Sequence, residues 1–241
     1  MNKTNKTIIT ICDEVIQKYR NDKNVLGIML FGSAARNKFD KFSDVDFYII
    51  LGKNGKYSRN NFLSHKYRVD IILNTLAEAE KYLKKDYRNI RRITSHMLAH
   101  GKIIFARTKD LARLQKIARV NLNSITKKNE ATTLMHKYSI DDFWGETQRD
   151  IENKNFTAFG IDSYLLISNI IELLLEHKGG YLKQPNEMSK VLSKADKKIA
   201  SDIEKFYRSS NIKERKNTLE KLVKAVYKKT GGPMPRNWEI K

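Results

Sequence analysis

The sequence is short of cysteine, proline and acid, and each shortage excludes something. A single cysteine, Cys12, leaves no intrachain disulfide and no thiolate metal cluster, and points to a reducing, cytoplasmic compartment. No apolar run approaches the roughly 18–20 residues of a membrane-spanning helix. The polar, charged start from Met1 to Thr7 has no signal-peptide core, so no membrane partner is expected. Disorder is excluded by ordinary apolar content (40%) and by aromatics spread along the chain. At 241 residues, the length suits one or two domains with a real core. Acidic residues number 27 against 47 Lys and Arg, a net charge of +20. The excess is even, with 22 basic and 11 acidic residues in 1–110 and 25 and 16 in 111–241. Lysine supplies 33 of the basic residues. Two readings follow: a lysine-rich composition, or recruitment of a polyanion, whether nucleic acid or a nucleoside triphosphate.

The elements alternate in the first half. Ile8, Ile9, Cys12, Val15, Ile16 and Tyr19 have helical spacing. Short apolar runs predict buried strands at Val25–Phe31, Asp44–Leu51, Tyr67–Leu73 and Lys102–Ala106, with Lys53–Asn61 as a polar loop. Helical spacing recurs in Leu76–Tyr87 and through Ile90, Ile93, Met97 and Leu98. Beyond Leu111 only helical stretches remain, at about 111–127, 131–152, 156–177, 186–208 and 212–229. Gly179-Gly180, Pro185 and Gly231-Gly232-Pro233 punctuate them. The stretch Tyr164–Leu175 is apolar around most of its circumference, as a central bundle helix would be. The expected fold class is therefore α+β, a mixed sheet with flanking helices over 1–108, followed by an all-helical bundle over 109–241.

One stretch carries chemistry. Gly32-Ser33 follows a buried strand and opens a helical turn, where backbone N–H groups and the Ser33 hydroxyl can approach a phosphate. Ten residues later comes Asp44-x-Asp46. Side chains two apart in a strand point the same way, so these carboxylates aim at one spot. Two such charges repel unless a hard divalent cation sits between them, and Mg²⁺ takes carboxylates together with phosphate oxygens. A third acid, Asp70, interrupts the neighbouring apolar strand and needs a partner there. Three carboxylates beside a phosphate-binding turn suit phosphoryl or nucleotidyl transfer with two metal ions. Arg36 is placed to reach a triphosphate or to be solvated, and Ser43 to assist the metal site or start the strand. None of the five histidines has metal-ligand spacing with acidic companions, His96 and His100 at i, i+4 included.

The pattern Gly32-Ser33-Ala34-Ala35-Arg36 … Ser43-Asp44-Val45-Asp46-Phe47, then an isolated strand acid at Asp70, resembles the nucleotidyltransferase superfamily that includes DNA polymerase β. It looks most like the small bacterial antibiotic and minimal nucleotidyltransferases. The resemblance covers about residues 8–106. The helical half, with Gly179-Gly180-Tyr181-Leu182-Lys183-Gln184-Pro185, is similar in kind to those of kanamycin and lincosamide nucleotidyltransferases. Many members have glycine after the arginine, where this chain has Asn37, a residue that tolerates left-handed backbone. The resemblance implies a catalytic domain in which Asp44, Asp46 and Asp70 bind two Mg²⁺ ions. Gly32, Ser33, Arg36 and Ser43 would serve the nucleoside triphosphate. A nucleoside monophosphate, AMP from ATP, would pass to a hydroxyl of an aminoglycoside or lincosamide and release pyrophosphate. Transfer to tRNA or protein is the alternative, and a nucleotide-binding antitoxin or interaction module the third. A homodimer is compatible, since some related enzymes place the acceptor between subunits.

In the helical half, Asp142 and Glu146 lie four apart beside Trp144. They read either as a solvated face or as a carboxylate patch for a cationic acceptor, one of them as its base in place of Asp70. Lys183 and Lys190 read either as surface lysines or as groups that neutralise pyrophosphate.

Overall fold

The computed structural model describes residues 3–239, so the outermost residues of both expected domains, 1–2 and 240–241, lie outside it. The chain divides into two compact units, 1–88 with 92–124, and 89–91 with 125–241.

In the first unit, α1 (Lys3–Tyr19) leads into β1 (Val25–Phe31), a four-residue α2 (Gly32–Ala35) and β2 (Val45–Leu51). After β3 (Ser58–Ser64) and β4 (Tyr67–Thr75) come α3 (Leu76–Asp86), α4 (Ile93–Ala99), β5 (Lys102–Ala106) and α5 (Asp110–Asn123). The sheet order is β3-β4-β2-β1-β5, with only β2 and β4 parallel. The strands β1, β2 and β4 read as continuous apolar runs because both faces are covered. Ile28, Leu30, Val45, Phe47, Ile49, Val69 and Ile71 face α1 residues Ile8, Ile11 and Val15. Met29, Phe31, Tyr48 and Ile50 face Leu83, Leu98, Leu111 and Leu114 on the other side.

Three expectations change. First, part of the polar segment taken as a loop is the strand β3. It pairs with β4 through a two-residue turn, His65-Lys66, with both φ angles positive (48° and 72°). Positive φ at both turn residues is the type I′ hairpin geometry, usually signalled by Asn-Gly. Second, 186–208 is two helices, α8 (Pro185–Ala195) and α9 (Lys197–Arg208). Asp196 leaves the helical conformation (φ −162°, ψ 110°) and caps α9 by accepting from Ile199 N–H. Third, the first unit extends past 108 through Ser124, because α5 packs in its core through Leu111, Leu114 and Ala118. Asn121 donates to Leu83 O and Ser95 Oγ, and the buried Arg92 guanidinium donates to the carbonyls of Asn121 and Ser124, satisfying the end of α5.

The second unit contains α6 (Glu130–Glu152), α7 (Phe156–His177), α8, α9 and α10 (Ile212–Lys229). Asn129, Asn155 and Asn211 cap the starts of α6, α7 and α10. Although no uninterrupted apolar run reaches membrane length, α7 passes a length-and-composition test for a span, with mean hydropathy 1.5. Its Phe159, Leu166, Ile167, Ile170 and Leu173–Leu175 form the middle of the helical core with residues of α6, α9 and α10. Trp144 packs against that core.

Candidate active site

Strand register brings the acids together. In the parallel β2/β4 pair, Asp46 lies directly beside Asp70, followed by Tyr48 beside Ile72 and Ile50 beside Asn74. All six side chains are on the sheet face that carries Tyr48 and Ile50. Asn74 Nδ2 donates to Tyr48 Oη at 2.8 Å, which ties the two strands together behind the acids. Asp70 is 5% exposed and Asp46 is half-buried. Burial, then the carboxylates of Asp70 and Asp44, push the Asp46 carboxyl up to about 7, against the opposing charge of Arg59.

Gly32 serves this site more directly than its phosphate-turn reading implies. Phe31 pairs with Asp46 across β1/β2, and Gly32 turns out of the strand at φ +70°. A Cβ there would overlap Asp46 Oδ2, so the missing side chain is the space the carboxylate occupies. Ser33 is half-buried beside it at the start of α2. Arg36 folds back, its Nε donating to Gly32 O at 3.3 Å. Asn37 does adopt left-handed backbone (φ 56°) and accepts from Lys102 Nζ.

Two sequence candidates sit differently from expectation. Asp44 precedes β2, which begins at Val45, so it borders the strand rather than belonging to it. Ser43 belongs to the loop: its hydroxyl donates to Asp40 Oδ1 at 2.8 Å and accepts from Asp40 N–H.

The residue that sequence reasoning missed is Arg59. It pairs with Ile72 in the β3/β4 ladder, one step diagonal from Asp70 on the same face. Its Nε donates to Asp70 Oδ1 at 2.9 Å and its Nη2 to Oδ2 at 2.6 Å. The only advance signal was the burial cost of Asp70, which demands a partner without saying which.

Does this set fit a divalent cation? The donors are all carboxylate oxygen, which suits Mg²⁺. The Asp46 carboxyl, raised first by burial and then by the carboxylates of Asp70 and Asp44, would be held ionised by a cation at this spot. Asp70, however, gives both oxygens to Arg59, and no three His, Cys, Asp or Glu side chains among the described residues are gathered closely enough to hold a metal. Asp44 and Asp46 offer carboxylate oxygens to the ion, and Asp70 would do so once Arg59 moves.

In the second unit, Asp142 is exposed and Glu146 accepts from Arg149 Nη1 at 2.8 Å through both oxygens. The structure adds two acids to this pair. Asp150 continues the same face of α6, 8% exposed, with no hydrogen-bond partner for Oδ2. Asp162 approaches from α7, its pKa raised by burial and then by Asp150, with Glu146 and Asp142 contributing. Lys183 and Lys190 line one pocket of about 510 Å³ with Lys178, Lys194 and Tyr181, over Leu175 and Val191.

Residues 13–110 match the family described as Polymerase beta, Nucleotidyltransferase. The fold is similar to that of a nucleotidyltransferase-like protein from Exiguobacterium sibiricum 255-15, over 95% of this chain and 77% of that one. The two are 17% identical with a TM-score of 0.52, a likeness of fold. No curated protein matches the chain.

Proposed function

We propose that residues 13–110, which match the Polymerase beta, Nucleotidyltransferase family, form a nucleotidyl-transfer domain, and that the chain moves a nucleoside monophosphate, AMP from ATP first among candidates, onto the hydroxyl of a small cationic antibiotic such as an aminoglycoside or lincosamide. The observation that carries the transfer is the Asp46–Asp70 pair set abreast by the β2/β4 register, with Gly32 cleared for the Asp46 carboxylate.

Asp44, Asp46 and Asp70 would hold divalent cations, two in the full assembly; Mg²⁺ when bound supplies charge neutralisation at the phosphates and a more acidic acceptor hydroxyl. The chain does the rest by positioning. Backbone N–H groups and the hydroxyl of Gly32-Ser33 take the β- and γ-phosphate oxygens, and Arg36 lies one turn away for the same charge. The acceptor oxygen attacks the α-phosphorus in line. The bond to the bridging oxygen breaks, pyrophosphate leaves, and the hydroxyl proton passes to Asp70.

The cationic acceptor is supported by the four acids Asp142, Glu146, Asp150 and Asp162, two of them with raised proton affinity or an unpartnered oxygen. Ammonium groups would supply the missing donors. One observation favours a second reading, transfer to tRNA: the pocket with four lysines, none of them in an ion pair among the described residues. Cytoplasmic location and a homodimer belong to either reading.

Pyrophosphate release tests these together, with each of four triphosphates against aminoglycosides, lincosamides and tRNA. Drug-dependent release supports the first reading. Labelling of RNA that weakens steeply with salt supports the second. No release with any acceptor, together with co-purification of a protein partner, leaves the antitoxin reading.

A further inference from the structure

Asp70 is the least exposed of the three acids and the only one already fully engaged. The engagement is bidentate, 2.9 and 2.6 Å, so the guanidinium covers both oxygens through which a carboxylate chelates or bridges a cation. The two partners differ in setting. The Asp70 side chain is 7% exposed and fixed in an interior strand, whereas the Arg59 side chain is 60% exposed. Arg59 belongs to β3, the last strand of the sheet, whose outward residues are largely solvated. If the pair separates, the arginine can move into water without unpacking anything, and the aspartate cannot follow it. A buried carboxylate that loses its partner needs another cation, or a proton, in its place.

We propose that Arg59 is a resident counter-cation for Asp70, which it must release before a divalent cation can bind there. The inference rests on the nucleotidyl-transfer reading and deepens it: the site passes between an arginine-closed and a metal-loaded state by exchanging one cation for another. Arg59 acts through Asp70 and is a positioning residue. Its removal therefore strengthens metal binding, the opposite of what removing a metal ligand or a purely structural residue does.

The test is Mn²⁺ binding without nucleotide, followed by the electron paramagnetic resonance of free Mn²⁺ at pH 8, with folding checked by circular dichroism. Arg59→Met should tighten Mn²⁺ binding about tenfold. Arg59→Lys keeps the charge but loses the fork, and should tighten it only about two- to threefold. Both gains should vanish in an Asp70→Asn background, where there is no carboxylate to release. Should Arg59→Met misfold, the Arg59→Lys comparison alone decides. Unchanged or weaker Mn²⁺ binding in the folded arginine variants, while Asp46→Asn still weakens it, overturns the exchange and leaves the transfer reading standing. Absence of Mn²⁺ binding in every variant also overturns the exchange, and the transfer reading then stands or falls separately on pyrophosphate release.

Discussion

The two units place acids by different geometry. In the sheet unit, Asp46 and Asp70 are 24 residues apart in sequence and become neighbours through strand register, held by apolar side chains on both sides. In the helical unit, Asp142, Glu146 and Asp150 recur every four residues on α6 and gain Asp162 from α7. Register fixes a carboxylate against a rigid ladder, and a substitution there changes chemistry directly. Helical spacing lines up a broader row that runs from the exposed Asp142 to the buried Asp150. Under the proposed function, transfer falls to the sheet unit and choice of the acceptor to the helical unit.

The largest effect should come from breaking the sheet side. Asp44→Asn or Asp46→Asn should keep the fold yet lower nucleotidyl transfer on the order of a thousandfold or more, read as pyrophosphate release. Wild-type-like turnover in either would sink the assignment. Gly32→Ala comes next. The added Cβ meets Asp46 Oδ2 in backbone at φ +70°, so transfer should fall by about a hundredfold and the melting temperature should drop as well. Equal activity in this variant would mean that the Asp46 carboxylate has freedom the register denies it.

On the helical side the effect should be smaller and of another kind. Asp142→Asn or Asp150→Asn should raise KM for a cationic acceptor about tenfold and leave KM for the triphosphate unchanged. A matching rise in triphosphate KM would erase the division of labour between the units.

The smallest effect is a pH signature in the metal-free protein. An acid whose folded pKa is raised to about 7 binds its proton more tightly folded than unfolded, so its contribution to stability declines as pH rises toward 7. Asp46→Asn, which cannot ionise, should therefore melt above wild type at pH 8, with the gap shrinking toward pH 5. Parallel melting curves at both pH values would show that Asp46 ionises freely.

Much of the sheet unit could be read in advance because its strands are buried on both faces and announce themselves as apolar runs. That Asp46 and Asp70 lie on neighbouring strands followed from two such runs; the register that sets them abreast did not. Arg59 did not, because Ser58–Ser64 is an edge strand with mostly solvated residues and no apolar alternation. Its turn, His65-Lys66, adopts positive φ without the residues that usually advertise it. The helical spacing of Asp142 and Glu146 was visible in the sequence. Asp162 was not, because its approach depends on how α7 packs against α6. The end of the first unit was hidden for a similar reason: α5 looks like any amphipathic helix, and only its packing through Leu111, Leu114 and Ala118, with the contacts of Arg92 and Asn121, shows which core it joins. In the α8–α9 stretch, Asp196 before Lys197-Lys198 was a readable cap within an otherwise continuous helical pattern.

The parallel step between β2 and β4 also governs how this sequence can drift. Val45 beside Val69, Phe47 beside Ile71 and Ile49 beside Leu73 lock the two strands without help from the segment that joins them. Residues can be inserted or lost between Gly52 and Tyr57 at little cost, since closing a somewhat longer loop is cheap. A single deletion between Tyr67 and Val69 is different, because a one-residue slip turns Asp70 to the opposite face and sets an apolar side chain beside Asp46. Length variation among relatives should therefore collect before β3 and stop at the turn that follows it.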